Sequence, residues 1–506
     1  MKRELMSIVL SNSLYFFVFL CYNSRVATRD IESDFFQETE MRRFIGDKAF
    51  YKMVCTMALP LIFQNFITNF VSFLDNIMVG QVGTEQMSGV AIIGNMIFVF
   101  YLALFGGYAG AGIFAAQYYG KGDHRSVGDA MRYKLYLGIF LTAAAILLFL
   151  FFDEPLIRMF LSNSNDDVGD VEATLMYARQ YLKIMLVGML PYAISQVYAT
   201  TIRETGDTVL PMTAGIVAVL TNLVFNYIFI FGHFGAPAMG VEGAATATVI
   251  SRFVEMGILI IATHARADKH EFIKGFYKKL TIPKELVKKV TIKGTPLLFN
   301  EAMWSLAVTA LNQSYSTRGL EVVAALNIST TVTNLFNIVF MAIGSAISII
   351  VGPLLGAGKI EEAKDTDRKM IALCVASCFV MGLVFVIAAP YIPLMYKTEE
   401  GVRNLATLLM IVSATAMPLH AFNHACYFTL RTGGRTVVTT LFDSVCSWVV
   451  FIPLAYFLTR YTQLNIVTVY AIVLYAEIVK SIIGFIMVRN GSWAKNMVGR
   501  ETVNNG

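Results

Sequence analysis

Charge is what this sequence has least of. Asp, Glu, Lys and Arg together make up only 15% of its 506 residues, against 56% hydrophobic residues, and the mean hydropathy is +0.61. A water-soluble chain of this length carries far more charge, so the composition excludes a soluble globular protein and defines a polytopic, all-α membrane protein. Cysteine is scarce as well. The six present, Cys21, Cys55, Cys374, Cys378, Cys426 and Cys446, form no CxxC pair and have no histidine at zinc spacing, which excludes a disulfide framework and a metal site. Cys374 and Cys378 read as small helix-packing residues. Paired acids and a nucleophile with a base within reach are also missing, so the chain is expected not to be an enzyme and to carry no cofactor. The net charge of +5 does not point to nucleic acid, because the basic residues gather in a few loops between apolar runs, as membrane topology requires.

Long apolar runs are abundant. Twelve candidate spans lie near 53–79, 88–119, 133–152, 176–200, 209–232, 240–264, 290–315, 322–355, 370–391, 403–428, 437–459 and 466–488. Orientation follows from the loops. Lys121, Arg125, Arg132 and Lys134 come after the second span, and the next loop is acidic, with Asp153, Glu154, Asp166, Asp167, Asp170 and Glu172. The strongest signal is 264–293, with nine Lys or Arg against three acids, which belongs in the cytoplasm. The expected organisation is an N-terminal extension (1–46), an N-lobe of helices 1–6 (47–266), a basic cytoplasmic linker (267–289), a C-lobe of helices 7–12 (290–490) and a tail (491–506), with both termini cytoplasmic in a cell membrane. The apolar run at 5–22 is read as an over-extended start rather than a signal peptide or a thirteenth helix.

One residue breaks the apolar pattern in the first span. From Met53 to Val79 the chain runs 27 residues with Asp75 as its only formal charge. An acid at the centre of a membrane helix costs about 2.5–3.5 kcal/mol on insertion scales, so such residues usually face a polar cavity on an ion or substrate pathway. Gln64, Thr68, Ser72 and Asp75, and alongside them Asn65 and Asn69, fall on one helical face, and the opposite face is apolar. That face is expected to line a cavity, the alternative being a polar seam that only joins helices.

The two halves repeat each other. A shift of 236 positions lays Pro60, Leu61 and Phe63 on Pro296, Leu297 and Phe299, Asn76 on Asn312, Gly83 on Gly319, and Gly120 and Gly122 on Gly356 and Gly358. A shift of 228 lays Arg203-Glu-Thr-Gly206 on Arg431-Thr-Gly-Gly434. With six helices per half, both copies enter the membrane from the same side, which makes this a parallel repeat, an arrangement that in transporters places substrate between lobes. Asp75 falls opposite Leu311, and Glu301 opposite Asn65, so each half carries an acid that the other lacks.

At this point the chain resembles the multidrug and toxic compound extrusion (MATE) family of cation-coupled antiporters. The motifs are Ala58-Leu-Pro60, Asp75-Asn-Ile-Met-Val-Gly80, Gly120-Lys-Gly-Asp123, Arg203-Glu-Thr-Gly-Asp207-Thr, Asn222-Leu-Val-Phe-Asn226, Gly240-Val-Glu-Gly-Ala244 and Arg431-Thr-Gly-Gly434. The resemblance implies a V-shaped pair of six-helix lobes that exports amphipathic, often cationic small molecules in exchange for H⁺ or Na⁺. It implies an ion site at Asp75 with Asn222 and Asn226, where Asn226 replaces an acid of many relatives. That departure shifts the expectation toward protons, because a carboxyl in a poorly hydrated cavity favours its neutral form. The substrate cavity is expected to include Gln64, Asn65, Thr68, Asn69, Ser72, Glu301 and Trp304. The expected partners are small-molecule substrates and the lipid bilayer, with a monomer as the unit.

The remaining polar groups have simpler readings. Arg252 with Glu255, and Glu477 with Lys480, are spaced as self-neutralising pairs. Asp443 is assigned to Arg431 or Arg435, and His420 and His424 to bonds between helices. Two rivals are weighed. A flippase for a lipid-linked precursor needs several basic residues in its cavity, and a membrane-embedded enzyme needs a catalytic constellation; the sequence offers little of the first and none of the second.

Overall fold

The computed structural model describes residues 44–161, 170–278, 281–396 and 398–499. The apolar run at 5–22 lies outside them, as do Asp166 and Asp167. The described chain is all-helical. Its long helices are α1 (Lys48–Gly80), α2 (Thr84–Lys121), α3 (His124–Leu161), α4 (Val171–Glu204), α5 (Val209–Phe231), α6 (Val241–Ala265), α7 (Lys284–Ser316), α8 (Leu320–Gly356), α9 (Ile360–Ala388), α10 (Glu400–Thr432), α11 (Thr436–Tyr461) and α12 (Ile466–Arg489). Among the described residues eleven of these are long and apolar enough to cross a membrane. The exception is α7, which at 33 residues has ample length but opens with Lys284, Lys288, Lys289 and Lys293 and carries Glu285 and Glu301. The expected seventh span is therefore a helix whose first turns are strongly basic.

Two helices are less regular than their hydropathy suggests. In α11 the segments Leu441–Val445 and Ser447–Phe451 are π-helical, a form found mostly at functional sites. The α-helical pattern of α12 pauses between Tyr475 and Ile478. Proline accounts for one further kink: Phe152 leaves helical geometry (φ −127°, ψ 23°) three residues before Pro155 in α3, where the ring displaces the preceding turn.

The repeat is written into the backbone. Gly122 and Gly358 end α2 and its copy α8 at φ 79° and 80°, and Gly206 and Gly434 turn the chain after α4 and α10 at φ 84° and 72°. These left-handed values are what glycine accommodates without a Cβ penalty. The duplicated glycines are thus fixed by turn geometry.

The contacts divide the chain into two compact units. Among the described residues one comprises Met57–Ala302 with Gly352–Gly358 and 496–499. Its core joins Ile93, Ile97 and Leu104 of α2, Met131 of α3 and Met185 and Met189 of α4. Within this unit the ends of α2 and α8 meet reciprocally: a Cβ at Gly120 would strike the backbone of Pro353, and one at Gly356 the backbone of Gln117. Gln117 and Pro353 are themselves 236 apart, so the contact carries the symmetry of the repeat. Among the described residues the other unit comprises Met303–Val351 and Lys359–Lys495, together with 44–56. Phe385, Met410 and Met417 form one of its cores, and Ala406, Leu409 and Val469 another.

The basic segment after α6 is packed, contrary to its composition. His270, Phe272, Ile273 and Phe276 are buried against the first unit. Asp207, which caps α5 through the amides of Val209 and Leu210 (3.2 Å each), also accepts from Lys269 Nζ at 2.5 Å. Arg132 donates from Nε to the Phe276 carbonyl at 2.9 Å and pairs with Asp129 at 2.5 Å. Lys134 is fully buried and bound to Glu204 at 2.5 Å. Arg132 and Lys134, expected as loop charges, are therefore internal cations with partners.

Candidate functional site

Asp75 lies little more than one turn from the end of α1 and is half-buried. Its partner comes from α5, where Asn222 and Asn226 stand one turn apart on the same face and are both buried. Asn226 Nδ2 donates to Asp75 Oδ1 at 2.8 Å and to Asn222 Oδ1 at 3.2 Å. With the Asn222 amide turned over, its nitrogen stands 2.8 Å from Asp75 Oδ2, and its oxygen accepts from Thr248 Oγ1 of α6 at 3.1 Å. This orientation gives up the bond between Asn226 and Asn222 and gives each carboxylate oxygen its own amide donor.

All of these donors are neutral. No cation forms an ion pair with Asp75 among the described residues, and Asn226 Oδ1 is buried without a hydrogen-bond donor. Three helices therefore enclose one negative charge and an unsatisfied acceptor beside it. That arrangement suits a small exchangeable cation, which would neutralise the first and bond the second.

The other expected residues are placed as follows. Gln64 and Asn65 are half-buried, and Thr68, Asn69 and Ser72 are exposed. Gln64 Oε1 accepts from Arg203 Nη2 at 3.1 Å and its amide packs on Gly215. Asn69 returns its amide to the Asn65 carbonyl at 2.8 Å within α1. Glu301 is buried, its Cγ where a Cβ on Gly106 of α2 would come to 3.0 Å. Trp304 belongs to the other unit and is exposed. The structure thus joins Asp75, Asn222 and Asn226 in one cluster and keeps Gln64 with Arg203. Thr248 was invisible to sequence reasoning, since it is one of three threonines in an apolar helix and nothing marks it until its neighbour is known.

Several pairings expected from spacing are replaced. Arg252 does not pair with Glu255: its guanidinium bonds the Tyr101 hydroxyl and the Gly188 carbonyl (3.3 Å) and lies over the Tyr101 and Tyr192 rings at 5.5 and 5.2 Å. Lys480 binds Asp443, not Glu477. Glu477 instead meets His420 Nδ1 at 2.9 Å and accepts from Asn423 Nδ2 at 3.1 Å, while Ser481 donates to Asn423 at 2.6 Å. Arg435 donates to the Ser492 carbonyl. His424 packs among Phe340, Tyr427 and Phe428. These partners stand on another helix, in the segment beyond α12 or, for Tyr427 and Phe428 at His424, one turn along the same helix.

Duplicated sets of long apolar helices define the class: a multi-pass membrane protein. The MatE family model matches twice, over residues 60–228 and 296–457, with starts 236 residues apart, as the repeat requires. The chain belongs to this family. Among curated proteins it is 26% identical over 449 residues to "Probable multidrug resistance protein NorM" of Thermotoga maritima, covering 88% of this chain and 94% of that one. It is 24% identical over 425 residues to "Probable multidrug resistance protein YoeA" of Bacillus subtilis, covering 83% and 89%. Among solved structures it superposes on a variant of the MATE transporter VcmN of Vibrio cholerae with a TM-score of 0.78 at 16% identity, covering 88% and 98%. A MOP superfamily transporter of Pyrococcus furiosus gives 0.76 at 19%, covering 89% and 97%. The two structures establish the fold alone.

Proposed function

We propose that the chain is a secondary active antiporter that exports amphipathic, often cationic compounds in exchange for H⁺, or for Na⁺, by alternating access. The observation that carries this reading is the cluster of Asp75, Asn222 and Asn226, a half-buried acid whose hydrogen-bond partners are all neutral. An anion in such a place is costly, and binding one monovalent cation removes the cost. Cation entry from outside neutralises Asp75, rearranges its bonds to Asn222 and Asn226 and weakens the hold on a cationic substrate. By reciprocity, substrate binding then favours release of the ion. The names of the curated relatives support the substrate class, and the basic segment 264–293 supports cytoplasmic termini under the positive-inside rule.

The test is transport in proteoliposomes loaded with a fluorescent cationic dye, with a pH gradient and a Na⁺ gradient imposed separately. Efflux driven by one of them, and lost in Asp75→Asn while the protein stays in the membrane, is the expected result. Equal efflux with no gradient, or from the variant, would remove the antiporter reading. The flippase alternative gains no support, since the buried Lys134, Arg132 and Lys480 each hold an acid and form no basic cradle for a phosphate.

A further inference from the structure

Two short segments are docked in the same way, one in each half. The first is 266–277, which follows α6. Phe272, Ile273 and Phe276 are buried, and three helices hold the segment from one side. From α3, Arg132 donates Nε to the Phe276 carbonyl at 2.9 Å and Nη2 to the Gly275 carbonyl at 3.3 Å, with its guanidinium 5.0 Å from the centre of the Phe276 ring. From α4, the Tyr198 hydroxyl meets that of Tyr277 at 2.6 Å. Asp207, in the turn before α5, accepts at Oδ1 from the amides of Val209 and Leu210 and at Oδ2 from Lys269 Nζ. One carboxylate thus ties the segment to the first turn of the helix that carries Asn222 and Asn226.

The second segment follows α12. Arg435 donates Nε and Nη2 to the Ser492 carbonyl at 3.2 and 3.1 Å. Trp493 is buried, and its indole Nε1 donates to the Val488 carbonyl at 3.1 Å. The repeat relates the two docking sites. Asp207 and Arg435 are 228 apart in the duplicated turn, and each holds the segment that leaves the last helix of its own half, the acid through a lysine and the arginine through a backbone oxygen. The residue type changes while the place of contact is kept. Gly128 of α3 and Lys364 of α9 are 236 apart and also press on these segments. A Cβ on Gly128 would come to 2.8 Å of the Phe272 carbonyl oxygen, and the Lys364 side chain lies 3.1 Å from where Gly491 would carry one.

Two glycines are set by this approach and not by their own backbone. Gly128 lies inside α3, where alanine is the better helix former. Gly433 has φ −77°, a value open to any residue, yet a Cβ there would stand 1.9 Å from the Trp493 carbonyl oxygen. Neither position leaves room for a methyl group while its segment is docked.

We infer that each segment is a brace, which ties the helix ends around the duplicated turn of its own unit into one cooperative body and acts independently of the other brace. Hydrogen exchange of the purified full chain, read by mass spectrometry, tests this without any transport. In Gly128→Ala the amides of 266–277 should exchange about tenfold faster or more, because an overpacked contact must open. The braced ends, 124–134 and 203–212, should speed up with them, while 490–495 stays as in the native chain. Gly433→Ala should do the reverse, freeing 490–495 and the turn at 431–440 and leaving 266–277 protected. Lys269→Ala removes a pair whose lysine is 59% exposed and should change exchange less than about threefold. If Gly128→Ala lost protection throughout its unit, Phe272→Ala, which adds no atoms, decides by the same criteria. Faster exchange confined to 266–277 would make the segment a passive cover and overturn the brace. Unchanged exchange in either glycine variant would overturn it too, as would release of both segments by one substitution.

Discussion

The cluster around Asp75 and the cluster around Glu477 are built on opposite principles. At Asp75 a carboxylate meets only amides, at 2.8 Å from Asn226 and, with the Asn222 amide turned, 2.8 Å from Asn222. In the other unit, Glu477 has His420 and Asn423, and Lys480 has Asp443, so each acid has a basic side chain of the protein beside it. The difference separates a site that needs something from outside from one that is complete. A buried pair with both members present is self-sufficient, and removing one member leaves an uncompensated charge. A buried acid among neutral donors lacks its counterion by construction, and there an external cation has a place.

The comparison breaks most sharply at Asp75. Asp75→Asn preserves shape and hydrogen bonding but removes the charge, so gradient-driven dye efflux should fall to the level of empty vesicles with expression unchanged. The balanced cluster should respond in stability instead. Lys480→Met leaves Asp443 buried opposite an uncharged side chain and should destabilise by about 3–5 kcal/mol, seen as a lower thermal midpoint in detergent; adding Asp443→Leu should recover most of it. A smaller effect is expected from Asn226→Leu, which deletes one bond to a charged group, about 1.5–3 kcal/mol. Efflux should drop by roughly tenfold or more, and the thermal midpoint should fall by less than in Lys480→Met.

The smallest effect lies in the docked segment after α6. Burial holds His270 below the ordinary imidazole range, with Asp207 pulling the other way and Lys269 and Arg266 adding to the depression. Burial also works to raise Asp207, but the Lys269 ammonium, the Leu210 amide and His270 outweigh it and keep the carboxyl below its usual value. A depressed histidine contributes stability above its unfolded value of about 6.5 that is lost as the pH falls. Asp207 keeps its contribution until well below that. Protease cleavage in 266–278 should therefore increase between pH 7.5 and 5.5, and His270→Phe should flatten that dependence.

Much of this was legible in the sequence. The duplication was visible because glycine turns and prolines keep their register when apolar residues drift, and the structure shows why: Gly122, Gly358, Gly206 and Gly434 hold left-handed conformations. Asp75 stood out because the run from Met53 to Val79 has no other charge, and the asparagines because a spacing of four places them on one face. What spacing alone does not encode is the choice between partners. Lys480 sits three residues from Glu477 yet reaches Asp443 on α11, and Arg252 lies against the contacting Tyr101 and Tyr192 rings rather than beside Glu255. Residues that share a helical face need not turn toward each other, and in a bundle the neighbouring helix offers the better desolvated contact. The docked segment was hidden for a related reason. Its lysines dominate the composition, while the packing is carried by Phe272, Ile273 and Phe276 between them.

The most direct test of the Asp75 account runs the exchange backwards. Proteoliposomes with a trapped pH indicator, or with Na⁺ inside, receive a cationic dye gradient and no ion gradient. Movement of H⁺ or Na⁺ opposite to the dye, absent in Asp75→Asn, is the predicted result. Dye movement without ion movement in the native protein, or the same ion flux in the variant, would contradict it.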